Sequence, residues 1–107
     1  MTTAKPVSDT TDNQGPIRAV LVEDHPVVRC GLKALIDNQE DMAVVGEAES
    51  GGSALELLKH ISCDVIVADL SLGDINGIEM IRRVRNSDIE TPILIVSMHE
   101  EELYAER

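Results

Sequence analysis

Four short stretches of this chain are almost continuously apolar: Ile17–Val22 (IRAVLV), Met42–Ala48 (MAVVGEA), Asp64–Ala68 (DVIVA) and Pro92–Ser97 (PILIVS). Runs of this length, rich in Val, Ile and Leu, suit parallel strands covered on both faces. The segments between them repeat apolar residues at helical spacing. Val28, Leu32, Leu35 and Ile36 make one stripe, and Pro26 fits the first turn of that helix, where a missing N–H is harmless. Ala54, Leu58 and Ile61 share a second face flanked by Leu55 and Leu57, and Ser50 with Gly51 and Gly52 can shape its start. Ile78, Ile81 and Val84 or Arg85 mark a third helix. A fourth begins in HEEELYAER, with glutamates in its first turn where the helix dipole favours them. The order βαβαβαβα predicts an open parallel sheet with right-handed crossovers.

Composition sharpens this picture. The chain has 107 residues, enough for one domain, and is 43% hydrophobic, yet Tyr104 is its sole aromatic residue. The core must be built from aliphatic side chains and Met. A net charge of −11, from 20 acidic and nine basic residues, argues against nucleic-acid contact by this chain. The basic run Arg82–Arg85 reads as a solvated helix face. Cys30 and Cys63 lack metal-ligand or C-x-x-C spacing and read as free, buried thiols of a reducing, cytoplasmic setting. No apolar run is long enough to span a membrane. Residues 1–16 are polar, without a signal-peptide core, and read as a disordered tail preceding a domain over 17–107.

In open α/β sheets, ligands gather outside the carboxyl ends of the strands. Here Glu23 and Asp24 follow the first strand, Asp69 the third, and Ser97 closes the fourth. Any one of these is unremarkable in a loop. Three carboxylates and a hydroxyl on one edge, from segments far apart in sequence, are a destabilising convergence unless a cation or protons intervene. Mg²⁺ suits such a set, because it takes one or two carboxylates and fills its shell with carbonyl, phosphoryl or water oxygens.

The acidic pair Glu23-Asp24 with His25-Pro26, the segment DVIVADLSL around Asp69, Gly77 eight residues later, and ILIVSMHEEE containing Ser97 occur in order. Together they resemble the receiver domain of two-component response regulators, most closely the branch with a C-terminal helix-turn-helix DNA-binding domain. The resemblance covers 17–107 and implies a flavodoxin-like open parallel sheet of order 2-1-3-4 with helices on both faces. It implies that Asp69 accepts a phosphoryl group from a histidine kinase. Asp24 and Asp69 would hold Mg²⁺ with the Ser71 backbone carbonyl, and Glu23 would act through water. Ser97 would contact the phosphoryl group and act as the switch. Such a protein is a phosphoacceptor switch rather than a conventional enzyme, and the charge and hydropathy above leave this chain itself no direct nucleic-acid or membrane contact.

Two departures from the family pattern set further expectations. Gly73 stands where a proline is common, so the loop GDING should be more mobile and less preorganised for Mg²⁺. The sequence given stops at Arg107, before the family's fifth strand, its lysine and its fifth helix; Lys5, Lys33 and Lys59 do not match that lysine. An incomplete receiver would leave the fourth strand and helix uncovered and prone to self-association. Rival readings are a receiver-like scaffold that takes no phosphoryl group, and an aspartyl-phosphate phosphohydrolase. The second suffers from Ser71, which stands where those enzymes usually place an aspartate as general acid. No phosphate-binding glycine motif supports a nucleotide site.

Overall fold

The computed structural model describes residues 15–97. The expected helix in HEEELYAER lies outside the described residues, as does all but the last two positions of the expected tail. The elements run β1 (Ile17–Val22), α1 (Pro26–Asp37), β2 (Met42–Ala48), α2 (Gly51–Leu58), β3 (Val65–Asp69), α3 (Gly77–Asn86) and β4 (Ile93–Val96). All strand pairs are parallel, in the order β2-β1-β3-β4, so the expected open sheet is what forms.

Register decides which residues share a face. Val20 pairs with Ile66 and Val22 with Ala68, while Ile66 and Ala68 pair with Ile93 and Ile95. These side chains point to one side, where α2 and α3 supply Ala54, Leu58, Met80 and Val84 to a common core. A register shift between Ala19 and Val20 brings Gly46 opposite Val20. A Cβ at Gly46 would lie only 2.9 Å from Ile61 and 3.0 Å from Leu57, so glycine there lets α2 close down on the sheet. The other face carries Ala19, Leu21 and Val67, all buried, with α1 packed over β2 and β1.

Two helices sit at different rotations from those expected. On α1, Val28, Leu32 and Ile36 are partly buried, whereas Leu35 is 66% exposed. The Arg29 guanidinium donates to the Glu23 carbonyl at 2.7 Å and lies 3.5 Å from Glu47, which draws the inward face toward Arg29 and turns Leu35 aside. Cys30, on the far side of that face, is exposed rather than buried, and Cys63 is half-buried, its thiol pushed up chiefly by desolvation. On α3 the buried positions are Gly77, Met80 and Val84, with Ile81 partly buried and Ile78 turned out at 59% exposure. Arg85 points away from the core and donates to the carbonyls of Ile89 and Thr91, and Arg82 and Arg83 pair with Glu79. The basic run is thus a solvated, ion-paired face.

The helix starts are chemically specified. Ser50 and Ser53 form a reciprocal capping box at α2, and Asn76 accepts from the Glu79 N–H at α3. At the far end of α1, Asp37 accepts from Val44 N–H and from Lys33, both at 2.9 Å, joining helix to strand. The Val44 bond, then Lys33, holds its carboxyl below the ordinary value of 3.8. Its contribution to stability is therefore present above that value and lost as pH falls through the lowered one. Asp37→Ala should cut the urea midpoint at neutral pH, with the gap from wild type closing as acid titration passes below the ordinary Asp range. For the core, Met80→Ala should lower unfolding free energy by about 2–5 kcal/mol. Ile78→Ala should change it by no more than about 0.5 kcal/mol; equal losses in urea denaturation would place Ile78 in the core instead.

Candidate functional site

Asp69 is the last residue of β3, paired with Val96, and its side chain is 1% exposed. An apolar central strand ends on this carboxylate because the following backbone is fastened at once: Leu70 N–H donates to the Val96 carbonyl at 2.8 Å, and Ser71 N–H to Asp69 Oδ1 at 3.2 Å. Alongside, β1 runs out into Glu23, whose N–H donates to Ala48 at 3.0 Å and whose side chain is fully buried. Asp24 comes next and is half-buried.

A histidine joins the acids. His25 Nδ1 lies 2.8 Å from Glu23 Oε2 and 2.7 Å from Asp24 Oδ1, and its backbone N–H donates to Glu23 Oε2 at 2.9 Å. A nitrogen between two carboxylates carries the proton; its N–H is directed at Glu23, and Asp24 adds charge attraction. The Glu23 hydrogen bond raises the imidazole above its ordinary 6.5 against the opposing effect of desolvation, and the charges of Asp24 and Glu23 add to it. Ligand-capable atoms of Glu23, Asp24, His25 and Asp69 all lie within 4.8 Å of one another. The three carboxylates expected from the sequence do converge.

Ser97 follows Val96, which pairs with Asp69, so the hydroxyl arrives at the same edge. Its Oγ is buried and has no hydrogen-bond partner among the described residues. Ser71 forms an isolated bridge with Asn76 that closes the loop after Asp69, and Gly77 N–H donates to the Leu70 carbonyl at 2.7 Å. Gly77 does not adopt a positive φ. A Cβ there would lie 3.1 Å from Ile95, 3.2 Å from Leu70 Cα and 3.4 Å from the Asp69 carbonyl, so glycine lets α3 start against the strand that carries Asp69. Lys33 and Lys59 stand in surface ion pairs with Asp37 and Glu56.

Sequence reasoning missed two residues. His25 enters the sequence pattern only within a motif, although its place directly after two acids is a usable signal. Asp74 carried no signal, because its partners are Gly51 and Gly52, more than 20 residues away.

Residues 19–107 match the family model described as the response regulator receiver domain. The chain belongs to that family. Among curated relatives, this receiver domain is 38% identical over 93 residues to the nitrate/nitrite response regulator protein NarL of Escherichia coli strain K12, covering 85% of the chain and 43% of the relative. It thus spans less than half the length of that relative. It also resembles the crystal structure of a LuxR-family two-component response regulator from Aurantimonas sp. SI85-9A1, with TM-score 0.75, 39% identity, and coverage of 86% and 66% of the two chains. The response regulator domain of Thermotoga maritima CheB matches with TM-score 0.73 and 37% identity over 81% of this chain and 64% of that one. Receiver domains of such regulators are signalling switches rather than conventional enzymes, work with histidine kinases and generally bind Mg²⁺ at an acidic pocket. No helix among the described residues is long and apolar enough to cross a membrane.

Two unit charges about 4 Å apart repel by about 4 kcal/mol at an effective dielectric near 20, and one histidine cannot offset three carboxylates. Asp69→Asn keeps an oxygen for Ser71 N–H while removing one charge. It should raise stability by about 1–3 kcal/mol in EDTA, measured by urea unfolding. A loss of stability would mean that the charged form of Asp69 is the better hydrogen-bond acceptor by more than the repulsion it suffers.

Proposed function

We propose that this receiver domain accepts a phosphoryl group on Asp69 from the phosphohistidine of a histidine kinase and transmits the change to a DNA-binding output domain. The observation that carries the reading is the convergence of Glu23, Asp24 and Asp69 at the carboxyl edge of the sheet, where Ser97 with its buried hydroxyl also follows β4. Its family and the greater length of its relatives support the two partners.

The donor set fits Mg²⁺. It is dominated by hard carboxylate oxygens, excess negative charge calls for a cation, and the partly exposed Asp24 leaves the site open to solvent. Asp24, Asp69 and the Ser71 backbone carbonyl would hold the ion, with Glu23 acting through water. When bound, it supplies positive charge against the oxygens of the incoming phosphoryl group.

The chain's own residues then do the rest. An Asp69 carboxylate oxygen forms the new bond to phosphorus as the donor's P–N bond breaks, and the donor ring, protonated at its other nitrogen, takes the electron pair and leaves as neutral imidazole. No proton needs to be taken from a carboxylate nucleophile, so the site requires no general base. The Ser97 hydroxyl donates to a phosphoryl oxygen, gaining the partner it lacks among the described residues. Because Ser97 continues directly from β4, its movement couples the modified edge to the strand.

Incubation with Mg²⁺ and acetyl phosphate, followed by mass spectrometry, tests this. We expect one phosphoryl adduct, acid-stable and base-labile, absent in Asp69→Asn and in EDTA. Ser97→Ala should slow its formation about 10-fold or more, the scale of losing a donor to developing charge. Absence of an adduct in wild type would instead identify a non-phosphorylated scaffold, and sustained phosphate release at enzymatic rates a hydrolase.

A further inference from the structure

Asp74 has no counterpart in the phosphoacceptor chemistry just described, yet this one carboxylate of the loop between β3 and α3 accepts three backbone hydrogen bonds. Its Oδ1 accepts from Gly51 N–H at 2.9 Å and from Ile75 N–H at 2.8 Å, and its Oδ2 accepts from Gly52 N–H at 2.8 Å. Gly51 and Gly52 are the first two residues of α2. Their N–H groups have no partner within the helix, and the Ser50–Ser53 capping box serves the Ser50 and Ser53 N–H groups instead. Asp74 therefore completes the start of a helix on a different crossover. Desolvation alone would push its carboxyl up, but the N–H groups of Gly52, Gly51 and Ile75 outweigh it and leave the carboxyl below its ordinary value.

The contact is closely packed as well as charged. A Cβ on Gly51 would overlap the side chain of Ile75, so the α2 start and the loop meet at a distance that only glycine permits. On its other side the loop reaches the acidic cluster: a Cβ on Gly73 would lie 3.4 Å from Asp24 Oδ2. The loop thus lies between the α2 N-terminus, to which Asp74 bonds it, and Asp24, which Gly73 faces at close range.

We infer that Asp74 is a positioning residue for the cation site, holding the loop that carries Ser71 and Gly73 against Asp24 by anchoring it to the N-terminus of α2. Glycine at 73 restricts the loop backbone less than a proline would. The neighbouring carboxylate restores order by tethering the loop to α2, in place of a restriction built into the backbone. The inference rests on the reading of the acidic cluster as a Mg²⁺ site.

Calorimetric Mg²⁺ titration of wild type, Asp74→Ala, Asp74→Asn and the double variant Gly73→Pro/Asp74→Ala, each paired with a thermal melt, tests it. Asp74→Ala should weaken Mg²⁺ binding about tenfold, the scale for losing a group that orients metal ligands. Asp74→Asn, which keeps one acceptor oxygen, should lose less and guards against a variant that does not fold. Gly73→Pro should recover affinity in the Asp74→Ala background, because it restores loop order without restoring the tether. A lower melting temperature with unchanged Mg²⁺ affinity in Asp74→Ala and Asp74→Asn would reduce Asp74 to a helix cap and overturn the inference while leaving the cation site standing. Failure of wild type to bind Mg²⁺ would overturn both.

Discussion

The parallel pairing of β1 with β3 is the constraint on which the rest of this structure depends. With Val22 opposite Ala68, the two strands end side by side, and Glu23, just after β1, and Asp69, the last residue of β3, come to the same edge. Apolar strands buried on both faces allow no slippage, because a one-residue shift would turn every core side chain to the wrong face. The hydrophobic core therefore enforces an electrostatic conflict at its own margin. His25 relieves part of that conflict from within the chain, and a divalent cation is the natural means of relieving the remainder.

The packing around that edge shows how it is held. Gly77 brings the start of α3 against the Asp69 carbonyl and Ile95, so the acid is fixed from behind by backbone rather than by a flexible side chain. Leu70 is hydrogen-bonded to β4, and Asp74 secures the far side of the loop to α2. Ser97 stands apart from these restraints, since its buried hydroxyl has no partner among the described residues. A buried hydroxyl of this kind has bonding capacity to offer an arriving acceptor. A buried carboxylate held by backbone, at the same sheet edge as this hydroxyl, is the arrangement on which the proposed switch rests.

The two faces of the sheet are unequal. The side bearing Val20, Val22, Ile66 and Ala68 is closed by α2 and α3 into one aliphatic core, without need of aromatic residues. On the other side α1 covers β1 and β2, no α1 residue is fully buried, and Leu94 on β4 remains 56% exposed. Among the described residues β4 is an edge strand, which is where the expectation of self-association arose.

Much of this was legible in the sequence by itself. The apolar runs located β1 and β2 to the residue and placed β3 and β4 within one residue at each end, because doubly covered strands must be apolar throughout. The positions of Glu23, Asp24 and Asp69 followed from the rule that parallel strands present their carboxyl ends to one edge. Helix rotation was not legible. Periodicity marks a stripe but not its centre, and on α1 the stem and charge of Arg29 shifted that centre, exposing Leu35; on α3, Met80 took the place expected for Ile78. Nor could the sequence reveal that His25 folds back between two carboxylates or that Asp74 completes a helix more than 20 residues away. Local pattern fixes what each segment becomes. Only tertiary packing decides which orphaned N–H groups and which charges meet, because those partners are chosen by proximity in space and leave no period in the chain.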